Sequence, residues 1–131
     1  MMRYVRAQAV SLWPAAAWMG VIFALSAQHH FPTTFGVSIE FTAVAGHLFI
    51  YSVLAALLYG GLPSALGRGR RAALAFAIAV GYSASDEFHQ SFVPGRDASL
   101  GDLLVDAIAA GSTLAIVARW APGFAIGRGR R

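Results

Sequence analysis

The chain has 131 residues, 57% of them hydrophobic and only 12% charged, with a mean hydropathy of +0.60. A soluble domain carries about a quarter charged residues, so that class is excluded and one compact membrane domain covering residues 1–131 fits the length. The absence of cysteine removes disulfides, thiolate nucleophiles and sulfur ligands, and the net charge of +4 comes from arginines at the ends of apolar stretches rather than on one nucleic-acid-binding face.

About 20 apolar residues cross a bilayer as a helix. Four segments approach that length, at residues 9–27, 43–62, 72–90 and 98–118. The prediction is therefore an all-α, polytopic membrane protein, a four-helix transmembrane bundle. Pro14 falls in the first turn of the first span, where its missing N–H is tolerated. A cleavable signal peptide is the rival reading of this segment, but the apolar run is longer than a typical signal core. Gly60, Gly61 and Pro63 end the second span, and Pro94 and Gly95 mark a turn between the third and fourth.

Charge predicts the orientation. Arg3 and Arg6 precede the first span, Arg68, Arg70 and Arg71 lie between the second and third, and Arg119, Arg128, Arg130 and Arg131 follow the fourth. Four crossings put all of these on one side, and the positive-inside rule makes that side cytoplasmic, with both termini inside. Every acid and every histidine then falls in the outer half, together with Arg96. His29 and His30 belong to an outer loop and read as solvated. Phe31, Phe35 and Phe41 in the same loop suit an interfacial segment or a lid.

The stretch from Ser85 to Gly111 is the most informative. The third span has too few apolar residues to cross without using Asp86 to Gln90 as its last turns, so these polar groups sit at membrane depth. Asp86 and Gln90 are four apart and share a face, as do Asp102 and Asp106, and His47 and Tyr51. His47 matches Asp102 in depth and Tyr51 matches Asp106, so the pairs meet if their faces turn inward. Ser26 and Gln28 lie close enough to join. Ionisable residues inside a membrane mark a functional site by default, although they also glue helices together. Glu87 and His89 are the acid–base candidates, since burial moves such groups toward neutrality. His47 with Asp102 reads as an oriented imidazole or an ordinary buried pair. Arg96 reads as a loop anchor on Asp102 or Glu87, or as a bidentate holder of phosphate. Histidine and carboxylates are metal-ligand types, but no spacing such as HExxH is present, so no metal and no cofactor is assigned. Ala73, Ala77, Gly81 and Ser85 repeat every four residues, as do Ala107 and Gly111, and both stripes read as close-packing faces. Trp13, Trp18, Tyr59 and Trp120 read as interfacial anchors.

These residues carry a resemblance. His47-Leu48-Phe49-Ile50-Tyr51, then Asp86-Glu87-Phe88-His89-Gln90, then Val93-Pro94-Gly95-Arg96, then Asp102 and Asp106 leading into Gly111, resemble the VanZ-like family of bacterial membrane proteins. The order and spacing cover most of the chain, from about residue 26 to residue 111. Many members have an Asp-Lys pair ahead of the histidine, where this chain has Ala43 and Val44, so no role of that pair carries over. The family's namesake is linked to resistance to the glycopeptide teicoplanin, which acts on cell-wall precursors outside the membrane. The resemblance thus implies a multi-pass protein of the bacterial plasma membrane with an envelope role.

The expected function is to bind or act on lipid-linked or amphiphilic envelope material through an outward-facing cluster. Glu87, His89, His47, Asp102 and Asp106 are its candidate catalytic residues, and Arg96, Gln90, Tyr51 and Asp86 its candidate binding residues. The expected partners are the bilayer and a lipid-linked envelope substrate, not nucleic acid. A structural or accessory envelope protein is the alternative. A small proton-coupled transporter fits less well, because four spans without an internal repeat leave little room for alternating access.

Overall fold

Proline and alanine open the first helix, and aliphatic residues carry it. In the computed structural model, which describes residues 11–28 and 39–126, α1 runs Trp13–Ser26 with Pro14 in its first turn. α2 follows at Ile39–Gly61, a short 3-10 turn at Ser64–Leu66, α3 at Gly67–Gln90 and α4 at Leu100–Trp120. These elements are all helical, and no strand occurs among the described residues. The outer-loop residues His29, His30, Phe31 and Phe35 and the terminal arginines Arg3, Arg6, Arg128, Arg130 and Arg131 lie outside the described residues, as do the side chains of Glu40 and Phe41.

The boundaries move where local chemistry outweighs hydropathy. α3 starts at Gly67 rather than 72, so Arg68, Arg70 and Arg71 belong to its first turns instead of a loop. α4 starts at Leu100 because Ser99 is its N-cap, with Oγ accepting the Asp102 N–H at 3.2 Å. Among the described residues two helices are long and apolar enough to cross a membrane, at Thr42–Gly61 and Leu100–Trp120, while Trp13–Ser26 is shorter and α3 carries charge at both ends.

Hydrogen bonds between elements fix their directions. The Ser11 N–H donates to Gly61 O at 3.1 Å, so the start of α1 meets the end of α2. The Tyr82 hydroxyl donates to Met19 O at 2.5 Å and the Trp18 indole to Ile50 O at 2.8 Å, which binds α1 to both α3 and α2. α1 and α3 therefore run one way, and α2 and α4 the other. α2 and α4, though parallel, form the broadest helix pair, with α3 packed mainly on α4 and α1 mainly on α2. Tyr51, Leu54, Ala55, Leu58, Ala75, Ala79, Ala110 and Leu114 fill the interface.

The small-residue stripe on α3 is a correction. Ala73, Ala77, Gly81 and Ser85 all face outward, and a Cβ built on Gly81 would meet nothing within 4 Å. The packed stripe is Ala75, Ala79 and Ser83, leading to Asp86, Glu87 and Gln90. The polar groups decide this: rotating α3 the other way would put three of them against hydrocarbon. The outer surface is instead apolar, with Phe49, Leu104, Ile108 and Ile116 exposed, while Arg71 and Asp106 are each 1% exposed. Large apolar groups outside and charges inside are the arrangement of a protein surrounded by lipid.

Candidate functional site in the helix bundle

At the end of the bundle formed by the close of α1 and α3 and the start of α2 and α4, three ionisable side chains converge. His47 on α2 donates from Nδ1 to Asp106 Oδ1 on α4 at 2.8 Å. A carboxylate acceptor assigns the proton to Nδ1, leaving Nε2 as the ring's second polar atom. Asp106 Oδ2 accepts the Ser83 hydroxyl from α3 at 2.5 Å. One carboxylate thus ties three helices together. Glu87, one turn along α3 from Ser83, accepts the Ser99 N–H on Oε2 at 2.7 Å, while its Oε1 is buried with no hydrogen-bond partner. Donor atoms of His47, Glu87 and Asp106 all lie within 4.8 Å of one another.

His47 meets Asp106, not Asp102, which corrects the expected pairing by one helical turn. α2 begins four residues earlier than hydropathy indicated and α4 two later, so depth counted from apolar onset was misaligned. His47 lies eight residues from the start of α2 (47 − 39) and Asp106 six from the start of α4 (106 − 100). Asp102 instead occupies the first turn of α4, where a carboxylate favours the helix dipole. It remains close enough for its charge to act on both His47 and Glu87.

The other candidates surround this core. The Tyr51 ring lies parallel to the His47 ring with centroids 6.3 Å apart. Its buried hydroxyl is beside Ser83 but makes no hydrogen bond, and the Ser83 proton is directed at Asp106. Gln90 donates to Asp86 Oδ2 at 3.2 Å, and both are buried. His89 is not one of the three converging donors: two residues beyond Glu87, it points around α3 and stacks on Phe23 of α1 at 4.5 Å. Arg96 is half-buried in the turn between α3 and α4, where its N–H donates to Val93 O at 3.1 Å and Gly95 takes a positive φ of 80°.

Arg71 was not singled out from sequence and is the largest fully buried side chain. At the opposite end of the bundle its guanidinium donates to Tyr59 O at 2.5 Å, Phe124 O at 2.8 Å and Pro122 O at 3.2 Å. It also lies 4.1 Å above the Tyr59 ring. It locks the segment after α4 beneath the end of α2. Tyr59 serves this clamp rather than an interfacial anchor, being fully buried.

The chain matches the family model described as VanZ/LLP1 over residues 2–120, and it belongs to that family. No curated protein and no solved structure matches it.

Proposed function

We propose that this member of the VanZ/LLP1 family is a four-span protein of the bacterial plasma membrane, with both termini in the cytoplasm, that binds and acts on lipid-linked or amphiphilic envelope material at its outer end. Arginines support the orientation. Arg68, Arg70, Arg71 and Arg119 occupy the bundle end opposite His47 and Glu87, and lipid bilayers retain that excess on the cytoplasmic side. The alternating helix directions support four crossings, since α3 must return across the membrane between α2 and α4 and α1 runs antiparallel to α2.

The observation that carries the functional reading is the buried core of His47, Asp106 and Ser83 beside Glu87, whose second carboxylate oxygen has no partner. A buried carboxylate oxygen without a protein donor costs about 1–3 kcal/mol unless water, a proton or a ligand meets it. Glu87 Oε1, beside the Asp106 carboxylate, is therefore open to such a partner. Arg96, in the adjoining turn, suits an anionic head group by its bidentate geometry.

The test is complementation of a deletion strain, scored by envelope phenotypes that include teicoplanin susceptibility. Glu87→Gln keeps the shape and the Ser99 contact but loses the carboxylate. It is expected to reach normal membrane levels and fail to complement, whereas Ile116→Val on the outer surface complements fully. Full complementation by Glu87→Gln at normal levels leaves the protein an accessory component of the envelope and refutes the proposal.

A further inference from the structure

The charges within the cluster do not balance. Glu87 and Asp106 are both buried, at 7% and 1% exposure, and the His47 imidazole can neutralise at most one of them. Two desolvated carboxylates in one place are strongly unfavourable unless a proton or a cation joins them. A divalent cation with a neutral imidazole closes the balance completely.

The geometry points to a divalent transition-metal site built from His47, Glu87 and Asp106. One nitrogen and two carboxylate oxygens are a donor set for zinc or manganese, with no thiolate to favour softer ions. Three protein ligands with a remaining open position are also the pattern of metal sites that receive a substrate or water rather than merely brace a fold.

Two independent observations go beyond the proximity of the three residues. The first is the unpartnered Glu87 Oε1 on a side chain more than nine-tenths buried. The second is how the carboxylates are braced. Glu87 is held on Oε2 by the Ser99 N–H at 2.7 Å, and Asp106 on Oδ2 by the Ser83 Oγ–H at 2.5 Å, while its Oδ1 accepts only from His47. That leaves Glu87 Oε1 open, and Asp106 Oδ1 is freed for an ion once His47 gives up its Nδ1 proton. Outer donors of this kind orient metal-binding carboxylates. The fit needs only side-chain adjustment. Ligands at about 2.1 Å from a tetrahedral ion stand about 3.4 Å apart. The present donor separations, all within 4.8 Å, contract toward that value. The His47–Asp106 contact of 2.8 Å opens toward it as the Nδ1 proton is released and the ion takes its place.

The inference concerns the same site as the proposed function but does not depend on which envelope ligand the site receives. Its test uses the full chain in detergent, purified on a tag without histidine, with His29→Gln and His30→Gln in the background. After chelation and desalting, zinc sulfate and manganese chloride are offered separately. Bound metal is measured by elemental analysis and stability by the thermal unfolding midpoint. The expected result is one equivalent of zinc or manganese per chain and a raised midpoint. Ser83→Ala, which touches only the brace, should weaken binding by about 10–100-fold. Glu87→Gln and His47→Gln should weaken it further, and Arg70→Gln at the other end should bind like the parent. Ser83→Ala provides the reading if a ligand variant fails to fold. Binding well below one equivalent by the parent, or binding by folded Glu87→Gln and Ser83→Ala equal to the parent, overturns the site. A metal-free parent whose Glu87→Gln variant still fails to complement leaves the envelope reading standing without the metal.

Discussion

Replacing Arg71 by methionine tests the claim that one arginine at the bundle end opposite the cluster is structural while its neighbours are not. Methionine keeps much of the apolar stem and removes the guanidinium. Three acceptors lose a charged donor: Tyr59 O in the last turn of α2, and Pro122 O and Phe124 O after α4. A hydrogen bond to a charged donor contributes about 1.5–3 kcal/mol, so three would total about 5–9 kcal/mol if every carbonyl stayed dry. The Pro122 and Phe124 carbonyls can recover water if the segment peels away. Its other ties are the Tyr59 hydroxyl on Pro122 O at 3.4 Å, the Ile126 N–H on Gly60 O at 2.8 Å and the packing of Phe124 and Ile126 over Gly60. The expected loss is therefore about 3–5 kcal/mol, the usual cost of breaking a buried charged contact. For a chain of this size that corresponds to a fall of about 10–20 °C in the unfolding midpoint, measured in detergent by intrinsic fluorescence. Trypsin should also cut sooner after Arg119. Arg71→Lys should fall between the two, since a point charge cannot reach three carbonyls as a planar fork does. Arg70→Met, one residue away and exposed, should stay within about 0.5 kcal/mol of the parent. If Arg71→Met matched Arg70→Met in midpoint and protease sensitivity, the clamp would have no energetic role.

Three further outcomes follow from the packing and the orientation. Gly61→Ala places a Cβ 2.5 Å from the Ser11 carbonyl, a backbone atom, and should cost more than Gly60→Ala, whose Cβ meets the Phe124 and Ile126 side chains at 2.6 and 2.9 Å. The first is expected to lose at least about 3 kcal/mol and the second about 1–3 kcal/mol by thermal unfolding, with Gly81→Ala neutral or stabilising. Tyr82→Phe removes the hydroxyl that donates to Met19 O and should cost about 1 kcal/mol in the same assay, with expression unchanged. Reporter fusions after Gly69 and after Arg131 should both report cytoplasm, and an external signal at either site would break the four-span orientation.

Much of the helical content was legible in the chain, because the hydropathy of α2 and α4 is high. Of the expected meeting of His47, Tyr51, Glu87, Arg96, Asp102 and Asp106, the structure brings together His47, Tyr51, Glu87 and Asp106, as the avoidance of lipid by ionisable groups requires. Register was less so. Apolar onset is a poor ruler for α4, whose first residue is set by the hydroxyl of Ser99, and Ser99-Leu100-Gly101-Asp102 was the signal that would have moved it. The face of α3 was misjudged because alanine recurs every four residues on two sides of that helix, and small size alone cannot choose between them. His89 was grouped with Glu87 by sequence proximity, yet two residues on a helix point in nearly opposite directions.

The polar residues themselves could have resolved α3, and following them yields Arg71 as well. Stepping back from Gln90 by three or four residues at a time reaches Asp86 and Glu87, then Ser83, Ala79, Ala75 and finally Arg71, and every one of these is buried. A single stripe thus runs the length of the helix, with an arginine at one end, carboxylates at the other and only small side chains between. The alanines let α3 lie close to α4, and that closeness delivers Ser83 to Asp106. Arg71 holds the far end of the same helix against α2 and the segment after α4, through contacts that involve none of the cluster residues. The two ends are therefore separable by mutation. Arg71→Met should lower stability while leaving the His47–Asp106–Ser83 geometry intact in the molecules that remain folded. Ser83→Ala should alter that geometry at a smaller cost, about 1–3 kcal/mol for the Asp106 oxygen left without its donor. Equal effects of both substitutions on midpoint and on complementation would mean that α3 moves as one unit and that its ends are not independent.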